Sequence, residues 1–188
     1  MGVKFSTVLS GVAILLLGGT FILCAFPMTG TPKQASKRAA ALSNMKQISL
    51  AIVMYCEDNG DRLPEAKTWC DAIFPYCKNK DIFRIAHFSS HDATDQEKAE
   101  TTFGVAFFDP MSKIKVATVK PPENQIVLFN STNWAWNAHS DLSTLDTKQF
   151  AEERCLFGFI DGHAKYLLPG QYPNSAGQVM NQTQAKPL

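Results

Sequence analysis

Asp161 and His163 flank Gly162 near the end of the chain. Side chains two apart on an extended strand face the same way. A carboxylate and an imidazole so placed could hold a divalent metal or exchange protons as an acid-base pair. The competing reading is a turn aspartate followed by a packed or solvated histidine. His87 and His91 are four apart, a ligand spacing on a helix, but the neighbouring Ser89, Ser90 and Asp92 do not read as helical. His139 and Asp141 repeat the two-residue spacing inside a polar loop. Asp58, Asn59 and Asp61 offer oxygen atoms of the kind calcium takes. The EF-hand spacing and its terminal bidentate Glu are missing, and a helix-stop turn accounts for the same residues. Serine-nucleophile motifs, a Walker loop and GxGxxG are also missing. The reading therefore assigns no catalytic residue, no cofactor and no metal. Asp161, His163, Asp58 and Asp61 are the residues a metal would have to use, with calcium the ion suited to the last two.

Trp134 and Trp136 alternate with Ala135, as sheet-edge packing or as an exposed aromatic pair for a glycan or protein partner. Cys24 lies in an apolar run, and Cys56, Cys70, Cys77 and Cys155 lie beyond it. Four cysteines allow three pairings. Cys70 and Cys77 would stand about 10 Å apart on an unbroken helix, too far for a disulfide. A break at Pro75 would leave that pairing open, and four small buried hydrophobes are the other reading. No close CxxC pair argues for zinc. The 188 residues carry a formal net charge of +1, and no basic stripe argues for nucleic acid.

The elements that must position these residues begin with an uncharged run from Phe5 to Met28, long enough to cross a bilayer as a helix. Its length and the poor cleavage site at Cys24-Ala25-Phe26 favour an uncleaved anchor over a signal peptide. Lys33, Lys37 and Arg38 follow, as a solvated helix start or a contact with lipid headgroups. The residues beyond are good helix formers, and Leu42, Met45, Ile48, Ile52 and Tyr55 recur at spacings of three and four, giving one apolar face. Asn59-Gly60-Asp61 should stop this helix, with Pro64 beyond. A short helix is expected from Trp69 to Lys78 and a polar loop from His87 to Glu100. Strands are expected at Phe103 to Phe108, Lys113 to Val119 and Gln125 to Asn130. The residues from Ser131 to Phe150 read as irregular. The run from Cys155 to Ile160 and that from His163 to Leu168 flank Asp161-Gly162, which predicts a hairpin with a two-residue type I′ turn.

The sum is an α+β chain: residues 1–32 as a membrane half-helix, 33–168 as a globular domain, and 169–188 as a mobile tail. The long helix should pack on a small antiparallel sheet.

Four stretches, in this order, carry a resemblance. They are Arg38-Ala39-Ala40-Ala41-Leu42-Ser43-Asn44-Met45-Lys46-Gln47-Ile48, the helix exit from Tyr55 to Pro64, Trp69-Cys70-Asp71-Ala72-Ile73-Phe74-Pro75-Tyr76-Cys77-Lys78-Asn79, and Phe159-Ile160-Asp161-Gly162-His163-Ala164-Lys165-Tyr166-Leu167. Together they resemble the type IV pilin-like, type II secretion pseudopilin G-like proteins that carry an H-x9-DG signature near the C-terminus. The resemblance runs from about Ala35 to Leu168. It implies a pilin-like fold, a single-pass anchor in the bacterial inner membrane, and a C-terminal domain outside the cytoplasm. The basic residues after the anchor, taken alone, would place that domain inside, but the family carries Arg and Lys there too. The implied partners are the lipid bilayer, other pilin-like subunits and secretion-apparatus proteins.

The chain departs from the family in four places. Gly2-Val3-Lys4-Phe5 only distantly echoes the prepilin leader, and the first acidic residue of the chain is Glu57. Ala151 stands where the signature His would fall, and Ile85-Ala86 replaces a Cys-Pro. Two functions follow as expectations. One is a non-catalytic, membrane-anchored structural subunit whose N-terminus is not processed by a prepilin peptidase. The other is an anchored ligand-binding or metal-dependent hydrolytic module using Asp161, His163 and His139.

Overall fold

The first described element is a 27-residue helix, α1, Pro32–Asp58. The computed structural model describes residues 32–85, 103–149 and 153–179. The apolar run at 5–28, His87, His91 and Ala151 lie outside the described residues. Among the described residues no helix is long and apolar enough to cross a membrane.

The buried face of α1 is Ala41, Met45, Ile48, Ser49, Ala51, Ile52 and Cys56, all at most 4% exposed. Met45, Ile48 and Ile52 are as expected from the periodicity. Leu42 and Tyr55 are only half-buried flanks. Hydrophobicity alone could not centre the face, because Ala41 and Ser49 are small enough to sit where the sheet comes closest. The helix ends where expected. Gly60 and Asp61 take positive φ, +66° and +62°, and the Asp61 amide bonds back to the Cys56 carbonyl at 2.8 Å. The Asn59 side chain donates to the Tyr55 carbonyl at 2.8 Å.

A 3-10 turn at Ala66–Thr68 feeds directly into α2, Trp69–Cys77. Pro75 lies inside α2 and does not break it. It deprives only the carbonyl of Asp71, an exposed residue, of its helical donor. Lys78 closes α2 in the left-handed conformation, its amide 2.8 Å from the Phe74 carbonyl.

The sheet has five strands: β1 Val105–Phe108, β2 Ile126–Asn130, β3 His139–Ser140, β4 Cys155–Phe159 and β5 Ala164–Leu167. Their spatial order is β3-β1-β2-β4-β5. The expected antiparallel sheet is corrected to a mixed one, because β3 pairs parallel with β1, setting Phe107 opposite His139. The other pairs are antiparallel. The two-residue β3 is too short to leave a period in the sequence. The expected strand from Lys113 to Val119 is also corrected. That segment carries a 3-10 turn at Val116–Thr118 and bonds to the exit of α1 instead, Leu63 amide to Ile114 carbonyl at 2.9 Å and Val116 amide to Asp61 carbonyl at 2.8 Å. Lys alternating with Ile and Val over 113–116 suits any half-buried extended chain, whichever partner it finds.

Register sorts the two faces of the sheet. Phe107, Leu128 and Gly158 line up across β1, β2 and β4 and face the helices. Trp69 of α2 lies 6.0 Å from Phe107, ring to ring, Ser49 of α1 lies over Gly158, and the Tyr166 hydroxyl donates to the Arg38 carbonyl at 3.0 Å. Ala106, Phe129 and Phe157 form the opposite face. Residues 169–179 cover it. Tyr172 packs on Phe157, ring centroids 6.0 Å apart, and the Ile126 amide donates to the Gly177 carbonyl at 2.9 Å. The expectation of a mobile tail from 169 is thus corrected for 169–179, while 180–188 lie outside the described residues. Gly and Gln in this stretch are not solvated linker residues. Gly177 (φ +76°) leaves room for no Cβ beside Phe108 and Gln125. Covering on both faces explains why β1, β2 and β4 are buried at every residue.

The closing hairpin is present, with a different turn. Phe159 and His163 pair through the Phe159 amide at 2.9 Å, and the Gly162 amide bonds to the Phe159 carbonyl at 3.0 Å. The loop is therefore the three residues Ile160, Asp161 and Gly162. Of these only Gly162 has positive φ, +91°. This is a type I turn followed by a left-handed glycine, not the expected I′ turn. Asp-Gly serves both geometries, so the dipeptide predicts the hairpin but not the loop length.

Candidate functional site

Asp161 and His163 do come together, Oδ1 to Nδ1 at 2.5 Å. The contact is internal to the turn. The same carboxylate oxygen accepts the His163 amide at 3.2 Å, and the imidazole stacks on Phe159 at 4.0 Å with planes 12° apart. His139 does not pair with Asp141. The parallel β1–β3 pairing instead brings it to Asp109, Nδ1 to Oδ1 at 2.6 Å. Asp141 caps the Ser143 amide at 3.2 Å, and hydrogen bonds from Ser143 hold its carboxyl below the usual aspartate range. The two histidines sit toward opposite edges of the sheet, separated by at least three strand spacings, roughly 14 Å. They cannot act on one small ligand.

The oxygens of Asp58, Asn59 and Asp61 do not converge. Asp58 accepts the Tyr76 hydroxyl at 2.9 Å, a bond that raises the phenol's pKa. Asp61 accepts the Ala117 amide at 2.9 Å. Among the described residues no group of three or more His, Cys, Asp or Glu is placed to hold a metal ion. Asp58 and Asp61 tie α2 and the 113–119 segment to the end of α1, which is the work of the helix stop.

The most elaborated polar arrangement joins α2 to the loop before β3. Asp71 accepts the Trp136 indole N–H at 2.7 Å and the Asn137 amide at 2.6 Å. Asn137, at φ +60°, returns its own oxygen to the Cys70 amide at 2.7 Å. Phe83 and Phe103 meet the Trp136 ring edge-on at 5.0 and 4.9 Å, and the Lys80 ammonium lies over it at 5.3 Å. The two tryptophans therefore part company: Trp136 is a packing anchor, and Trp134 is 47% exposed. With two strong donors on it, Asp71 is held below the ordinary aspartate range, chiefly by Trp136 and then by Asn137. Such a carboxylate is a poor general base and a good clamp. Sequence reasoning passed over Asp71 and Asn137 because their partners lie 65 or more residues away.

This clamp makes a pH prediction. A carboxyl whose pKa is lowered by folding contributes stability above its unfolded value of about 3.9 and loses it as pH falls through the folded value. Asp71→Ala should cost about 1 kcal/mol near pH 7, a cost that vanishes at the acid end. Urea midpoints of both proteins from pH 7 down to pH 3 check this. Parallel curves across that range would refute the clamp.

A second polar cluster, also missed, is fully internal. Asn130 donates to the Asp146 carbonyl at 2.7 Å and to Gln149 at 2.8 Å, and accepts the Leu156 amide at 2.7 Å. Gln149 donates on to the Ile85 carbonyl at 2.7 Å. These bonds satisfy backbone groups where loops meet the end of the central strand β2, as buried polar groups require.

Cys56, Cys70, Cys77 and Cys155 are free thiols. Burial pushes Cys56 up to about 12, and raises Cys70 and Cys155 as well. Thiols so protonated are not nucleophiles at neutral pH. Comparison of the chain with protein-family models, with curated proteins and with solved structures finds no match in any of the three.

Proposed function

We propose that the protein is a membrane-anchored, pilin- or pseudopilin-like structural subunit of a secretion or pilus-like apparatus, without catalysis. In this reading residues 5–28 cross the bacterial inner membrane once, and the C-terminal domain stands outside the cytoplasm. The partners are the bilayer, other pilin-like subunits and apparatus proteins, with no nucleic acid. The observation that carries the reading is α1 itself. A helix that follows directly on an apolar run buries Met45, Ile48 and Ile52 against a small sheet, which suits a spine with a domain built on its distal half. The ordered motifs of the pseudopilin-like resemblance lend further support. The alternative, a metal-dependent hydrolytic module, draws on Asp161, His163 and His139, and gains nothing from two dyads at opposite edges of the sheet.

Alkaline phosphatase fused after Leu188 tests the reading in a bacterial host. The enzyme is active only outside the cytoplasm, so the expected result is an active fusion that stays in the membrane pellet after alkaline carbonate extraction. An inactive fusion, or one released by carbonate, overturns it.

A further inference from the structure

The sequence contains one Asn-Gly pair, Asn59-Gly60, and one Asp-Gly pair, Asp161-Gly162. Either can close a five-membered imide, because glycine carries no side chain to hinder its own amide nitrogen. The fold treats the two pairs differently. The Gly162 amide donates to the Phe159 carbonyl at 3.0 Å, and Gly162 is buried against Leu50. Asp161 Oδ1 is itself engaged, accepting the His163 amide and meeting its imidazole. Asn59 and Gly60, by contrast, are both exposed. A Cβ on Gly60 would meet nothing within 4 Å, and among the described residues no carbonyl accepts the Gly60 amide. The Asn59 side chain is held by the Tyr55 carbonyl at 2.8 Å, at a helix end, where structure opens at least cost.

We propose that Asn59-Gly60 is a self-modification site, and that its deamidation loosens the stop of α1. The Gly60 amide nitrogen loses its proton and attacks the side-chain carbonyl carbon of Asn59. The new C–N bond closes a succinimide, and the side-chain nitrogen leaves as ammonia with that proton. Water then opens the ring at either carbonyl, leaving aspartate or isoaspartate at position 59. Both products act against the fold. A carboxylate there cannot donate to Tyr55. It also follows Glu57 and Asp58 as a third successive acid, at the helix end that disfavours acids. Isoaspartate further routes the backbone through one extra carbon, which displaces the left-handed pair Gly60 and Asp61. Asp61 holds the Val116 and Ala117 amides at 2.8 and 2.9 Å, so the 113–119 segment loosens with it. The inference goes beyond the proposed function and does not rest on it.

The test compares the full chain folded in mild detergent with the same chain unfolded in guanidinium chloride, both at pH 8. Peptide mapping and isoaspartyl methyltransferase labelling give the rate at each pair. The unfolded-to-folded ratio is the protection that the fold confers, free of the intrinsic difference between Asn and Asp. Asn59 should be protected no more than roughly ten-fold, the order of one broken hydrogen bond. Asp161 should be protected about a hundred-fold or more, because the buried hairpin must open first. Equal protection at the two pairs, or the stronger protection at Asn59, overturns the proposal. Asn59→Asp tests the consequence. It should lower the urea midpoint, and the loss should shrink as salt screens the added charge. A midpoint equal to that of the unsubstituted chain overturns the loosening and the proposal with it.

Discussion

Ile48→Asp is expected to leave the domain unfolded at 25 °C. Ile48 is completely buried in the centre of the α1 face. A carboxyl placed there must either stay charged without a partner or take up a proton, and both cost several kcal/mol. The lost apolar contacts add about 2 kcal/mol or more. Domains of this size have roughly 5–15 kcal/mol to lose, so one such change consumes much or all of it. Lys46→Asp, two residues away on the exposed side, should shift stability by no more than about 0.5 kcal/mol. Leu42→Asp should fall between them, since Leu42 is only half buried. Urea titration of the full chain in detergent, followed by fluorescence of the buried Trp69, orders the three. Equal losses at Lys46 and Ile48 would refute the assigned face.

Gly158→Ala should destabilise the domain although it adds a single methyl group. A Cβ at position 158 would lie 2.4 Å from the Ser49 Oγ and 3.1 Å from the Leu128 Cβ. Limiting the glycine's freedom in the unfolded chain would by itself favour Ala by about 0.4–1 kcal/mol. Overpacking at a fixed helix–sheet contact costs about 1–3 kcal/mol, and at 2.4 Å the clash wins. The Ser49 hydroxyl is itself fully buried without a hydrogen-bond partner, so Ser49→Ala alone should be neutral or mildly stabilising. In the double variant the worst contact is gone. The cycle should then show a favourable coupling of about 1 kcal/mol or more, well beyond the additivity of independent sites. Strictly additive losses would mean that α1 does not approach β4 at this point.

The two variants probe different kinds of information. Ile48 was legible from periodicity, because a core face on a helix must repeat every three to four residues whatever it packs against. The same logic made the α1 stop, α2 and the closing hairpin readable. Asn-Gly-Asp and Asp-Gly impose local backbone geometry through forces that act within a few residues.

Gly158 and Ser49 were not legible as a pair, because neither residue carries a local signal and their contact joins elements more than a hundred residues apart. The parallel strand at His139–Ser140, the Asp109 partner of His139, the Asp71–Trp136–Asn137 clamp and the ordering of 169–179 share that character. Each depends on which segments the sheet brings together. A histidine two residues from an aspartate has the composition of a site, but its partner is set by register. Here register gave His139 to Asp109 and left Asp161 and His163 to each other. By itself, the sequence determined α1 and its stop, α2, the strands β1, β2, β4 and β5, and the centre of the α1 stripe at Met45, Ile48 and Ile52, since these follow from local sterics and hydrophobic period. Only the tertiary structure decided which polar side chains meet, because those meetings are fixed by long-range strand pairing and by how closely a helix can approach a strand.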